Sequence, residues 1–360
     1  MAGQATTVWQ LDPHTKAKHV ILRKYLNAWL PKLTKWETRV VIIDGFAGPG
    51  IYSQGEEGSP VIALKAFLEH AYQAQMKAKV KYLFVEEDKK RCASLNQVLA
   101  SMTIPDSVDI SIVNEECLTA LSDILDYLDE KQSSLAPTFA FIDPFGVNVP
   151  LDMISRLMSH PKCEVLITFM ISALQRFIAT PEFEGPTDRL YGCKEWRHGL
   201  QMNGKPREMF LRTLYQQQLQ KVVGAKYVSF FTMKDTKDKP IYDLFFATNH
   251  ASGIDAMKSA MWKVDQSGDY SFSDATDPSQ ETLFTSEPNW GQLFDLLHAQ
   301  FARTEQPWEV VEEAIRRTPF RILKTPIKDE AKKPNSRFKI INSSGTKTGT
   351  LDAKSRIQFP

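Results

Sequence analysis

From His14 to Trp36 apolar residues recur at helical spacing, with Val20, Ile21, Tyr25, Leu26 and Trp29 on one stripe, and the spacing predicts a helix. Pro31 is expected to bend or interrupt it. The pattern then changes. "RVVIID" (39–44) is a run of consecutive β-branched residues, which suits a strand covered on both faces, as in the middle of a parallel sheet. "GSPVIALKAFLEHAYQAQ" predicts a helix with Ser59 as N-cap and Pro60 at the first helical position. The alternation repeats with "KVKYLFVEED" and "KKRCASLNQVLASM", then "VDISIVNEEC" and "LTALSDILDYLDEK", then "PTFAFIDPFG" and "PLDMISRLMSH", then a fifth strand, "CEVLITFMI". Strands alternating with helices of this length form βαβ units, hence a doubly wound parallel sheet.

Beyond the fifth strand the chain reads as irregular from Thr180 to Asn203. "KPREMFLRTLYQQQLQKVVG" follows as a helix with Gly224 as its stop. "KYVSFFTMK" and "PIYDLFFATN" are two alternating strands joined by the polar turn "DTKDK", a hairpin, and "GIDAMKSAMWKV" is a helix. From Gly268 to Asn289 the composition shifts to Ser, Asp, Thr and Pro, which reads as a linker. Helical spacing resumes in "WGQLFDLLHAQFA" and "PWEVVEEAIRRT", and the last segment reads as a two-stranded ribbon turning at Ser343–Gly345.

Composition changes the picture in three places. At 360 residues, 42% hydrophobic and 24% charged, the chain can bury one large domain and a small one. Four cysteines at 92, 117, 163 and 193 form no CxxC, which argues against a zinc ribbon or an iron–sulfur site and for reduced thiols; no metal site is expected. The N-terminal stretch lacks a signal-peptide pattern, and no run of about 18 apolar residues occurs, so no membrane span and a cytoplasmic location are expected. The net charge of +1 is uneven: Arg321 to Pro360 carries ten Lys/Arg against three Asp/Glu, a basic end that suits a phosphate backbone.

The candidate chemistry lies at the strand ends. Ligands of doubly wound sheets sit outside the carboxyl ends of the strands. Asp44, Glu86 to Asp88, Glu115 to Cys117, and Asp143 put an acid at four consecutive ends. The glycines of "DGFAGPG" at 45, 48 and 50 would let a ligand approach the backbone. A dinucleotide brings a pyrophosphate, which wants amides and no nearby carboxylate. S-adenosylmethionine brings a sulfonium, an ammonium and ribose hydroxyls, which suit Asp44 in the turn. No GK[ST] follows, so a P-loop is excluded. No G-x-S-x-G elbow occurs, which argues against hydrolase chemistry.

The order of elements, with "DGFAGPG", "FVEED", "VNEEC" and "FIDPFG", resembles the class I S-adenosylmethionine-dependent methyltransferases. With "KHVILRKYLNAWL", "EGSPVIAL", "DRLYG", Trp196 and "AMWKVD", nearly the whole chain resembles the three-Cys-motif partner protein family. The resemblance implies a Rossmann-like, seven-stranded α/β fold with a small winged-helix-like tail. It divides the chain into an N-terminal helical cap (1–38), a methyltransferase-like Rossmann domain (39–267), a linker (268–288) and a winged-helix-like basic domain (289–360). It also implies S-adenosyl-L-methionine as cofactor and a separate three-cysteine protein of radical S-adenosylmethionine type as partner. Cofactor contacts are expected from Asp44, Gly45, Phe46, Gly48, Gly50, Glu86 (with Glu87 as fallback), Glu116 and Cys117.

"DPFG" resembles the [Asn/Asp]-Pro-Pro-aromatic element of amino-methylating enzymes, and similar strings occur in tRNA guanosine-N2 dimethylating enzymes. Asp143 and the Pro144 carbonyl would accept from the two N–H groups of an exocyclic amine, and Phe145 would stack on the base. The second proline is missing, so Phe145 comes one position early. Two readings result: a methyltransferase acting on a nucleic-acid base, or a non-catalytic substrate-binding subunit of the partner. Pro326 and Pro334 interrupt the would-be recognition helix of the tail.

Overall fold

The computed structural model describes residues 7–147, 149–265, 270–275, 288–342 and 351–360. The chain divides into two compact units, Met1–Val264 with Ser271–Glu281, and Asp265–Tyr270 with Thr282–Pro360.

The first unit is built on one sheet. Its strands are β1 (Arg39–Asp44), β2 (Lys79–Val85), β3 (Val108–Val113), β4 (Thr138–Ile142), β5 (Cys163–Phe169), β6 (Tyr227–Lys234), β7 (Pro240–Thr248) and β8 (Ser271–Ser273), in the order β3-β2-β1-β4-β5-β7-β6-β8. The first five are parallel, β7 runs antiparallel to β5 and β6, and β8 adds to β6 in parallel. The doubly wound α/β arrangement read from the sequence is present, with an eighth strand that the pattern did not disclose. Three residues give too short an alternation to register, and β8 lies inside the stretch read as a linker. The rest of that stretch, apart from Tyr270, Asp274, Ala275, Pro288 and Asn289, lies outside the described residues.

Helices cover both faces. α1 (Pro13–Thr34) precedes the sheet, α2 (Ser59–Leu68), α3 (Lys89–Ala100), α4 (Cys117–Glu130) and α5 (Leu151–Ser159) separate the parallel strands, and α6 (Ile171–Phe177), α7 (Pro181–Tyr191), α8 (Gly204–Lys221) and α9 (Ala251–Met261) complete the unit. The strands alternate their faces by parity. Val41, Ile43, Ala140, Ile142, Val165 and Ile167 pack with α4, α5 and α8. The opposite face meets α1, where Tyr25 lies 5.0 Å from Phe139 and 5.1 Å from Phe246 between ring centroids.

Several local expectations are corrected. Pro31 does not interrupt α1, which continues to Thr34. Gly58, not Ser59, is the N-cap of α2. That helix stops at Leu68, and the remainder of its predicted run holds only a 3-10 turn at Gln73–Gln75. The region read as irregular contains α7 and a 3-10 turn at Glu195–Gln201. Gly185 and Pro186 hid α7 from the pattern, although Pro181 starts it and Gly192, at φ 63°, ends it.

The second unit contains α10 (Trp290–Phe301), β9 (Glu305–Pro307), α11 (Trp308–Arg316), α12 (Lys324–Ala331), β10 (Lys339–Ile341) and β11 (Arg356–Gln358). Its antiparallel sheet has the order β10-β11-β9. Phe294, Leu297, Trp308, Ile315, Phe338 and Ile357 are buried in it. Pro326 falls in the first turn of α12, where no intrahelical donor is lost, so the helix forms. The predicted turn at Ser343–Gly345 lies outside the described residues. No helix of the described residues is long and apolar enough to cross a membrane.

Candidate functional site

β1 pairs with β2 on one side and β4 on the other, so the winding reverses between β1 and β4 and their carboxyl ends open a crevice. Asp44 closes β1, and Asp143 follows β4 directly. Asp44 is 2% exposed. Its Oδ1 accepts from the Phe46 N–H at 3.2 Å, while Oδ2 is buried with no hydrogen-bond partner. Burial pushes its pKa up to about 7, against the nearby Ser59 hydroxyl and the Phe46 N–H, which pull it down. A buried acceptor in this condition would be completed by a donor from outside.

Asp143 is half-buried and differently held. Its Oδ2 meets Lys18 Nζ at 2.5 Å, and its Oδ1 accepts from the Thr168 hydroxyl of β5. Lys18 is buried, with Nζ 5.3 Å from the Tyr242 ring centroid and 5.8 Å from that of Phe141, so two π faces help to replace its lost water. The adjacent His19 is buried and neutral; desolvation first, and then the Lys18 charge, push its pKa down to about 3. The crevice thus has a fixed cation from α1, which sequence reasoning missed because Lys18 is one lysine among several in "HTKAKHVILRK".

The glycine turn lies beside these acids. Gly45 donates to the Phe141 carbonyl and Ala47 to the Val85 carbonyl, both at 2.9 Å, which ties the turn to β4 and β2. A Cβ at Gly45 would lie 2.6 Å from Cys117 Sγ, so only glycine fits there. At Gly48 the nearest atom to such a Cβ would be Trp9, at 4.0 Å; positive φ (67°), not crowding, favours glycine, and the backbone faces open space.

The acid after β2 is committed elsewhere. Glu86, 6% exposed, accepts from Gly48 N at 2.8 Å through Oε2, and from Asp88 N at 2.8 Å and Arg91 Nε at 2.9 Å through Oε1. It braces the glycine turn against α3, a use that its expected ribose role did not include. The fallback, Glu87, has a side chain 70% exposed. Asn114, not singled out from sequence, donates to the carbonyls of Glu86 and Glu87 at 2.9 and 3.0 Å and fixes the end of β2. Glu116, the N-cap residue of α4, is exposed, whereas Cys117 is buried against Gly45 and burial pushes its thiol up to about 12.

An aromatic rim completes the crevice. Phe145 is 60% exposed and lies 6.3 Å from Trp9, edge to face; Trp9 lies 5.9 Å from Tyr52, and Ser53 donates to the Trp9 carbonyl at 2.8 Å. Pro144 is buried and Phe46 half-buried. Asp44, Phe46, Gly45, Gly48, Gly50, Glu86, Asp143 and Phe145 are therefore gathered by the β2, β1 and β4 ends, and Cys117 backs the turn. Glu116 stands in solvent. Trp9 could not be read from the sequence, since it precedes the first patterned element. Among the described residues no group of three or more His, Cys, Asp or Glu could hold a metal ion.

The strand order 3-2-1-4-5-7-6, with β7 antiparallel, defines a Rossmann-like fold of the class I methyltransferase kind. No protein-family model matches the chain. No curated protein matches it either. Among solved structures it is similar to Trm1 from Pyrococcus horikoshii in complex with S-adenosyl-L-methionine, at 10% identity over 100% of this chain and 94% of that one, with a TM-score of 0.37. It is also similar to an O-methyltransferase from Bacillus cereus in complex with SAH (11% identity, 66% and 82% covered, TM-score 0.34). A third is the putative methyltransferase yhhF from Escherichia coli (16% identity, 42% and 69% covered, TM-score 0.26). The strand order, not these slight likenesses, carries the fold assignment.

Proposed function

We propose that the crevice between β1 and β4 binds S-adenosyl-L-methionine and that the protein methylates an exocyclic amine of a nucleic-acid base. The observation that carries this reading is the buried, unpartnered Oδ2 of Asp44 beside an open glycine turn. An ammonium would complete that oxygen and hold the carboxyl in its charged form. Gly48 and Gly50 would lie under the methionine portion, and the backbone after Glu116 would flank the adenine. Glu86 would act through the turn it braces.

When bound, the cofactor supplies an electrophilic methyl group on a sulfonium. Phe145 would stack on the acceptor base. Asp143 and the Pro144 carbonyl would accept from the amine N–H groups, localise the nitrogen lone pair towards the methyl carbon, and take up the proton released when the new N–C bond forms. Lys18 would hold the Asp143 carboxyl in position for that work. Alignment of donor and acceptor supplies much of the rate.

The second unit would hold the polymer. Its order of helix, strand, two helices and two strands supports a winged-helix reading, with Lys324 and Lys328 one turn apart on α12 and Lys332 at its C-cap. Docking to a three-Cys-motif protein is the partner reading carried over from the sequence motifs. One observation favours the alternative, a non-catalytic binding subunit: both oxygens of Asp143 are already engaged, by Lys18 and Thr168.

Titration calorimetry with S-adenosylmethionine tests the proposal. Saturable binding is expected, weakened about tenfold or more in Asp44→Asn, and Phe145→Ala should abolish methyl incorporation into nucleic acid while cofactor still binds. No binding at millimolar cofactor ends the proposal. Binding with no incorporation into any nucleic acid leaves the subunit reading in its place.

A further inference from the structure

At the opposite end of the sheet a second cavity, of about 280 Å³, opens between the end of α1 and the start of α9. Its inner wall is buried: Tyr25, Trp29 and the carboxylate of Glu164, the second residue of β5. Trp36, 78% exposed, and the exposed Lys32 and Lys162 stand at the mouth, where Lys162 pairs with Glu37.

Glu164 is only 4% exposed and has no cation among its hydrogen-bond partners. One oxygen accepts from the Tyr25 hydroxyl and the other from the Thr248 hydroxyl, each at 2.5 Å. A carboxylate offers about four lone-pair positions, so each oxygen can accept once more. Room for this carboxylate is built in: a Cβ at Gly253 would lie 2.0 Å from Glu164 Oε1. The cavity therefore asks for a flat ring between π faces, with two adjacent donors directed at a buried carboxylate. Its mouth favours an anion at Lys32 and at the exposed Ser252 in the first turn of α9, while Lys162 is offset by Glu37. An organic cation would suit the floor but meet the rim lysines.

We infer that this cavity is a guanine-nucleotide site, separate from the crevice. The N1–H and exocyclic N–H₂ of guanine would face Glu164, the ring would lie against Trp29 and Trp36, and the phosphate would stay at the mouth by Lys32. Adenine presents a ring acceptor where guanine presents N1–H, so it would set a lone pair against the carboxylate. The volume is near the lower end of small-molecule sites, roughly 300 Å³, which suits one base with its sugar at the opening.

Calorimetric titration of the full chain with GMP, AMP and inorganic phosphate tests this. GMP should bind saturably, at least about tenfold tighter than AMP or phosphate, which is the factor that about 1.4 kcal/mol of selective contact gives. Trp36→Ala, at an exposed position that the fold does not need, should weaken GMP roughly tenfold, and Lys32→Ala should weaken it less. Asp44→Asn, in the crevice, should leave GMP binding unchanged, which separates failure here from failure of the methyltransferase reading. The inference is overturned by absence of GMP binding up to about 5 mM, by equal binding of AMP, or by GMP binding that Trp36→Ala does not alter.

Discussion

Asp143 follows β4 and Glu164 lies at the start of the neighbouring β5, at opposite ends of the sheet, and α1 serves both. At the crevice, Lys18 neutralises Asp143 outright. At the far cavity, Tyr25 and Thr248 solvate Glu164 with hydroxyls and supply no counter-charge. Asp44 is a third case, with one oxygen bonded to a backbone N–H and the other unpartnered. The three differ in what they can offer an incoming group. Asp143 offers spare lone pairs beside a bound cation, Glu164 spare lone pairs with no cation beside them, and Asp44 an acceptor whose ionisation a cation would drive.

Removing the crevice cation should have the largest effect. Lys18→Met leaves Asp143 without its counter-charge and should cost about 3 kcal/mol in urea unfolding, since breaking a buried pair strands the remaining charge. The double variant Lys18→Met/Asp143→Asn should recover most of that loss. A double variant no better than the single one would mean that Lys18 acts by packing and not by charge. At the far cavity, Tyr25→Phe removes one of the two hydrogen bonds to the buried Glu164 carboxyl and should cost about 2 kcal/mol. A change under about 0.5 kcal/mol would show that Glu164 does not depend on that hydroxyl.

Asp44 gives the smallest effect, and one that depends on pH. Its folded pKa of about 7 lies above the ordinary carboxylate value of 3.8, so between those values the folded chain keeps a proton that the unfolded chain releases. Its contribution to stability is full below about 4 and is lost as pH rises towards 7, by at most about 1.4 kcal/mol per pH unit. His19, depressed to about 3, acts with the opposite sign between 3 and 6.5, so the comparison must be made with the variant. Asp44→Asn should flatten the decline, and cofactor binding should tighten from pH 6 to 8 in the parent only. Equal pH profiles in the two proteins would remove the proton from Asp44 and with it the proposed ammonium contact.

The legible part of the molecule was its periodicity. Consecutive β-branched runs and helical stripes disclosed the parallel sheet, the hairpin of β6 and β7, and the acids at the strand ends. Side-chain partnership was not legible. Asp44, Glu86 and Asp143 look alike in sequence, yet one keeps an unpartnered oxygen, one braces a turn and one is ion-paired, because their partners range from local backbone to groups 25 to 125 positions away. Trp9 and Lys18 were missed for the same reason. The helix α7 was hidden by Gly185 and Pro186, whose local preference the surrounding packing overrides.

Lys18 and Tyr25 are seven positions apart in one uninterrupted helix, two turns and about 10 Å along its axis. That spacing works as a ruler: it sets both side chains in phase against the same sheet face, two turns apart on one rod. Inserting a single residue between them would rotate one relative to the other by about 100°. Evolution of this segment is therefore constrained in register as well as in residue type, and lengthening it without loss at one end or the other would require whole turns.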